Sequence, residues 1–274
     1  MPGRRIQALA LHALLIAGAI VALAPMLWMI AASFMQPGEA NTFPPRLVPA
    51  DPTLDNYRAL FTRLDLGRYL ANSALLAGSV TAISLLLNSM AGYAFAKLRF
   101  RHRDRVFRLL SAGLVVPVQV TMLPLFLLMR ELGLVNTYWG VVIPGAASIF
   151  GIFLIRQYAL SLPDALIDAA RMDGAGEFRV YRSIVLPVLR PILATLAIWT
   201  FLGTWNDFMW PLIVLSDDSM FTLPVALAAL AGERVQDTEL MMAGSVLTIL
   251  PVMLVFLVLQ RYYVEGITLG SVKG

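Results

Sequence analysis

Residues 162–191 read L-P-D-A-L-I-D-A-A-R-M-D-G-A-G-E-F-R-V-Y-R-S-I-V-L-P-V-L-R-P. This stretch is polar, basic and helix-forming, and it lies between two long apolar runs. Ser161 offers a hydroxyl where a helix N-cap belongs, Pro163 suits a first turn, and Asp164 is a carboxylate three residues after that cap. Leu162, Ala165, Leu166, Ala169 and Met172 then recur at helical spacing and make one apolar face. Gly174 follows, at the position of a left-handed C-terminal cap. A second helical stretch begins near Glu177 and runs into Ile184, Leu186 and Pro187. The pattern predicts a short helix, a glycine turn and a second helix rising into the next apolar run. Taken on pattern alone, a solvated loop with two amphipathic turns fits equally well.

The residues around this stretch decide its setting. Hydrophobic residues make up 59% of the 274 and charged residues 14%, against about 45–50% and about 25% in soluble domains. That balance predicts an all-α membrane protein. With no cysteine and only His12 and His102, the chain has no material for a disulfide framework, a thiolate or a Cys/His metal centre. No G-x-x-x-x-G-K-[ST] occurs, so ATP hydrolysis through a P-loop of its own is excluded. No motif of paired catalytic residues is present, and neither a catalytic residue nor a cofactor is expected.

Uncharged apolar stretches of about 20 residues can cross a bilayer as helices. Six are expected, at about 8–32, 70–96, 108–129, 133–155, 188–213 and 240–260, in one transmembrane domain over 1–274 with a polar loop at 160–187. Arg4 and Arg5 precede the first, which also suits a signal peptide, but the run is too long for a cleaved one. Fifteen of the 21 Lys and Arg residues fall at the amino terminus, in 97–108, in 156–190 and in the carboxyl tail. The positive-inside rule then places both termini in the cytoplasm. The cluster K-L-R-F-R-H-R-D-R could suggest nucleic acid, but at the inner face of a membrane protein it reads as a topology anchor, and no nucleic-acid partner is expected.

Two further stretches stand out. Leu54, Tyr57, Leu60, Phe61 and Leu64 predict an amphipathic helix lying on the outer surface against membrane lipid. Trp205-Asn206-Asp207-Phe208-Met209-Trp210 puts an ionisable residue in the fifth span. Asn206 and Asp207 therefore read either as part of a translocation path or its outer gate, or as an interfacial anchor between two belt tryptophans. Pro25, Pro117, Pro124, Pro144, Pro211 and Pro251 mark candidate kinks or helix ends. Gly78, Ala82, Ser89 and Gly92 offer close helix packing.

Asp168-Ala169-Ala170, Gly174, Ile184 and Leu186-Pro187 resemble, in type and spacing, the signature loop of ABC-importer permeases, E-A-A-x-x-x-G-x(9)-I-x-L-P. Aspartate stands here for the usual glutamate, one methylene shorter. D-N-Y-R-A-L-F with Asn72-Ser73, F-L-G-T-W-N-D-F-M-W-P-L and the tail Q-R-Y-Y-V-E-G-I-T-L-G-S-V-K-G are similar to the carbohydrate branch, specifically the maltose-type short permease subunit. The tail carries Glu265 where a neutral or basic residue is the rule. The likeness runs from about residue 56 to the end.

This resemblance implies a six-helix type I importer permease in the cell inner (plasma) membrane. Asp168, Ala169, Ala170, Gly174, Ile184, Leu186 and Pro187 would then form the coupling helix that docks on a cytoplasmic ATPase. It further implies a second permease subunit, two ATP-binding subunits and an extracytoplasmic sugar-binding protein as partners. Three rivals remain: a secondary solute transporter, for which the spans offer only Asp207 as an intramembrane charge; an export or channel-like membrane protein, which would need no docking loop; and an ABC importer permease for a non-sugar solute.

Overall fold

The apolar runs become helices. The computed structural model describes residues 2–63, 65–233 and 237–269, and every regular element among them is helical. In chain order these are α1 (Pro2–Ser33), α2 (Asp55–Arg63), α3 (Leu66–Lys97), α4 (Arg103–Ala112), α5 (Val118–Glu131), α6 (Tyr138–Gly145) and α7 (Ile149–Leu160). There follow α8 (Asp164–Met172), α9 (Glu177–Val180), a π turn (Tyr181–Val185), α10 (Leu186–Val188), α11 (Arg190–Trp205), α12 (Met209–Val214), α13 (Leu223–Glu233) and α14 (Thr238–Leu269). Four of the helical stretches are long and apolar enough to cross a membrane, and six if each of two sharply bent pairs is one span.

The chain divides into two compact units. One gathers 1–67 and 226–251. Its α1 exposes Leu14, Ile16, Ile20, Val21 and Leu27 along its length, a surface that suits lipid. Around the end of α1, Ala32, Met35 and Ala40 close a small core with Trp28 and Met242. Asn56 of α2 donates through Nδ2 to the carbonyls of Ser33 (3.0 Å) and Met35 (2.9 Å), which a helix C-terminus would otherwise leave without partners. Tyr57 Oη and Ser33 Oγ share a hydrogen bond of 2.7 Å. The expected surface helix is thus tied down through Leu60, which is fully buried, while Leu54 and Phe61 stay about half exposed; Leu64 lies outside the described residues.

The second unit comprises 68–225 and 252–274. Here α3 and α7 approach closely at Gly92, where a Cβ would lie 2.5 Å from Ile155 Cγ2. Ser148 starts α7: its Oγ accepts from Gly151 N at 2.9 Å, and its own N–H donates to Asn88 Oδ1 at 3.1 Å. Of the four small residues read as packing sites, Gly92 and Ser89 are used so. Ser89 is buried and bonds Tyr181 Oη at 2.7 Å, whereas Gly78 meets nothing within 4 Å and Ala82 is exposed.

The expected runs 108–129 and 188–213 are not continuous helices. The first bends by 107° between Val115 and Val118, where Pro117 takes an extended backbone (ψ 135°). Pro25, Pro124 and Pro251, equally suited to break a helix by sequence, lie inside unbroken ones. The second run joins a helical stretch from Glu177 to Val188 with α11 at 78°, and α11 itself stops at Trp205 before α12 begins at Met209.

Candidate docking site

The loop 160–187 is built from a helix with two differently occupied faces. Ser161 does not cap it. Ser161 is the C-cap of α7, and its Oγ donates back to Tyr158 O at 2.7 Å. The N-cap position of α8 belongs to Pro163, whose ring offers no hydrogen-bond acceptor, and the first-turn carboxylate Asp164 turns instead to Lys97 Nζ at 2.7 Å. Lys97 also donates to Leu162 O at 2.6 Å; its side chain is 8% exposed, so one ammonium clamps both the start of α8 and the end of α3. That pairing, with Lys97 as hydrogen-bond donor first, holds the Asp164 carboxyl below its ordinary pKa.

The far end of α8 is a Schellman turn. Gly174 has φ +80°, its N–H donates to Arg171 O at 3.0 Å, and Ala175 N–H donates to Ala170 O at 2.9 Å. Here the sequence reading of Gly174 as a left-handed stop and the observed geometry coincide. Arg171 bridges the turn. It donates to Asp168 Oδ1 at 3.2 Å and to Glu177 Oε1 at 2.9 Å, while Tyr93 Oη donates to Glu177 Oε2 at 3.0 Å. Glu177 is held below its usual pKa chiefly by the Arg171 hydrogen bond, and Arg171 is raised in return. Asp168 thereby orders the cation that ties α8 to α9.

Of the face that periodicity marks, only Leu162, just before α8, is buried. Leu162, Ile167 and Ala170 enter a core with Tyr93 and Ala96 of α3, Ile155 and Ala159 of α7, Val180 and Tyr181, Val185, and Ile192 and Leu196 of α11. Ile184 and Leu186 pack against the same cluster, half buried, and Pro187 is likewise half buried. Ala165, Leu166, Ala169 and Met172 point to solvent instead, with Leu166 49% and Met172 88% exposed. The sequence offered apolar residues on more than one side of nine positions, and the turn at Gly174 selects which side meets the bundle. A rigidly rooted helix thus presents small and apolar side chains outward. Exposed apolar surface of this kind marks an interaction site when it is contiguous.

The second candidate pair separates. Asn206 follows the end of α11, is exposed, and donates through Nδ2 to Leu202 O at 2.9 Å. Asp207 lines a cavity of about 360 Å³ with Thr121, Thr204 and Trp210 against Val80, Val141 and other apolar side chains. Its Oδ1 accepts from Trp210 N at 3.3 Å, next to the start of α12, and Trp210 Nε1 donates to Gly140 O at 3.0 Å. Asn72 and Ser73, quoted in the sequence only for a likeness, prove to be fasteners. Asn72 Nδ2 donates to Ser219 O and Phe221 O, its Oδ1 accepts from Tyr138 Oη, and Ser73 Oγ accepts from Leu223 N.

Bent apolar helices, a largely apolar cavity among them that holds Asp207, and a rooted helix with an open apolar face mark a helical membrane protein. The chain belongs to the family of binding-protein-dependent transport system inner membrane components, whose profile matches residues 84–268. It is 42% identical over 259 residues to the arabinooligosaccharides transport system permease protein AraQ of Halalkalibacterium halodurans, covering 93% of each chain. It is 34% identical over 274 residues to the lactose transport system permease protein LacG of Rhizobium radiobacter, covering 98% of each. A chain of a bacterial ABC transporter involved in the import of the acidic polysaccharide alginate superposes with a TM-score of 0.84 at 26% identity, over 96% of this chain and 98% of that one.

Proposed function

We propose that this chain is the permease subunit of an ATP-driven sugar importer. It forms the translocation path with a second permease subunit, spans the inner membrane six times with both termini cytoplasmic, and performs no catalysis itself. Two ATP-binding subunits and an extracytoplasmic sugar-binding protein complete the assembly. The single observation that carries the coupling role is α8: one face locked into the bundle, the other apolar and open. The sugar assignment is supported by the relatives' transport of arabinooligosaccharides and lactose.

The mechanism follows from that rooting. A force on α8 reaches α3, α7 and α11 together, because Ile167 and Ala170 share one core with residues of all three. The load also passes through the π turn Tyr181–Val185 and the 78° bend before α11, an irregular segment of a kind often found at functional sites. ATP-driven closure of the ATPases moves α8, and the attached helices tilt to open the cavity beside Asp207 to the other side. Deleting the gene in its host and measuring uptake of labelled oligosaccharides tests this reading. Uptake of at least one sugar should vanish and return on complementation. Unchanged uptake of every sugar, with loss confined to another solute, would transfer the function to that solute.

A further inference from the structure

The α3–α4 turn holds a basic cavity whose lining shares no residue with α8 or with the cavity beside Asp207. It measures about 510 Å³ and is lined by Arg99, Arg103, Arg105 and Arg108 with His102, Phe100 and a single carboxylate, Asp104. That carboxylate is already engaged, by Arg103 Nε at 3.3 Å and by Arg156 Nη2 at 3.8 Å. Arg156 is itself well packed. Its side chain is 16% exposed, its Nε donates to Phe95 O at 3.3 Å, and its guanidinium lies 4.0 Å from the centre of the Phe107 ring. The Phe107 ring in turn packs on Phe95 and Phe153, which ties α4 to α3 and α7. Arg105 and Arg108 have no carboxylate partner among the described residues.

Topology needs positive charge on this side, but it does not need that charge to converge. Four guanidinium groups around one open recess, with one committed carboxylate, leave an unneutralised site, and guanidinium forks match phosphate geometry. Apolar surface adjoins it. Phe100 is 44% exposed at the rim, and Val106 and Leu109 on α4 are 47% and 79% exposed, continuing into Leu114 and Val115. Cationic and apolar surfaces side by side at the end of a spanning helix suit a molecule with a phosphate at one end and acyl chains at the other.

We infer that the α3–α4 turn binds the phosphate headgroup of an anionic glycerophospholipid of the surrounding bilayer. This rests on the topology proposed above only in setting residues 97–108 at a membrane surface. Lipid binding is measured without transport, so its failure and the failure of the sugar-uptake reading are separate results.

The test uses the assembled importer, stripped of lipid in neutral detergent and titrated with phosphatidylglycerol or phosphatidylcholine while bound lipid is counted by native mass spectrometry. Phosphatidylglycerol should bind the more tightly. Each surface arginine contributes roughly a fivefold preference for anionic lipid, so R105Q/R108Q should weaken phosphatidylglycerol by about 25-fold and R105K/R108K by much less. R130Q, which removes an exposed charge on α5, should change nothing. If R105Q/R108Q does not assemble, R108Q alone should weaken binding about fivefold. Equal binding of the two lipids, or an equal loss in R130Q, overturns the inference. So does binding of sn-glycerol 3-phosphate as tight as that of the lipid, since the site would then take soluble phosphates.

Discussion

Replacing Leu166 and Met172 together by serine should detach the ATPase without disturbing the fold, and the size of the effect follows from their exposure. Fully burying a Leu or Met side chain is worth about 1.5–3 kcal/mol. Leu166 is 49% exposed and Met172 88%, so a partner covering both gains about half of that range from one and most of it from the other. The sum is about 2–4 kcal/mol, or roughly 30- to 700-fold in the dissociation constant. In the uncomplexed permease the same serines face water, where surface substitutions stay within about 0.5 kcal/mol. Ile167→Ala, one position away but 2% exposed, does the opposite: it opens the core shared with α3, α7 and α11 and costs about 2–5 kcal/mol of stability. The assay is a titration of purified ATPase subunit onto the permease pair in nanodiscs, beside thermal unfolding of the same samples. L166S/M172S should lose affinity and keep its melting temperature. If that variant melts early and binds the ATPase within twofold of the parent, the open face is not a docking face and the reasoning fails.

Three further outcomes follow. Gly174→Ala places a Cβ at φ +80° and should destabilise the loop by about 1–2 kcal/mol, read as faster hydrogen exchange in α8 and α9, although nothing lies within 4 Å to clash with it. Glu177 and Asp164 both have folded pKa values below their ordinary 4.5 and 3.8, so the stability they confer is fully present above those values and is lost as pH falls through the lower folded ones; loop protection should be flat from pH 8 to 5 and drop only in stronger acid, with E177Q already reduced at neutral pH. Asp207→Asn keeps the Oδ1 that accepts from Trp210 N, so a fall in sugar uptake at unchanged membrane abundance would report the charge in the cavity, and normal uptake would make Asp207 a fastener of α12.

The sequence showed the loop, its glycine stop and the apolar runs, because these depend on local pattern. Gly174 is legible since a left-handed stop after a periodic run has few other solutions. What stayed hidden depends on contacts between distant segments. The buried face of α8 could not be chosen, because Ile167 and Ala170 compete with Leu166 and Ala169 for the bundle and their core partners on α3, α7 and α11 are distant in sequence. Nor did the prolines declare themselves: Pro117 stands at a 107° bend and Pro124 sits seven residues on within α5. Neighbouring groups can satisfy a carbonyl freed by a proline, and one chain's sequence does not say where they do.

The central claim, that α8 is where the ATPase docks, can be tested on a native background because the chain has no cysteine. Cysteine placed at Met172 and, separately, at Asp218 is coupled to a photoactivatable crosslinker in inverted membrane vesicles containing the whole importer. The account predicts an adduct with the ATPase subunit from position 172 and none from 218. An ATPase adduct from 218, or labelling of 172 by impermeant reagent from the outside of sealed cells, would contradict it.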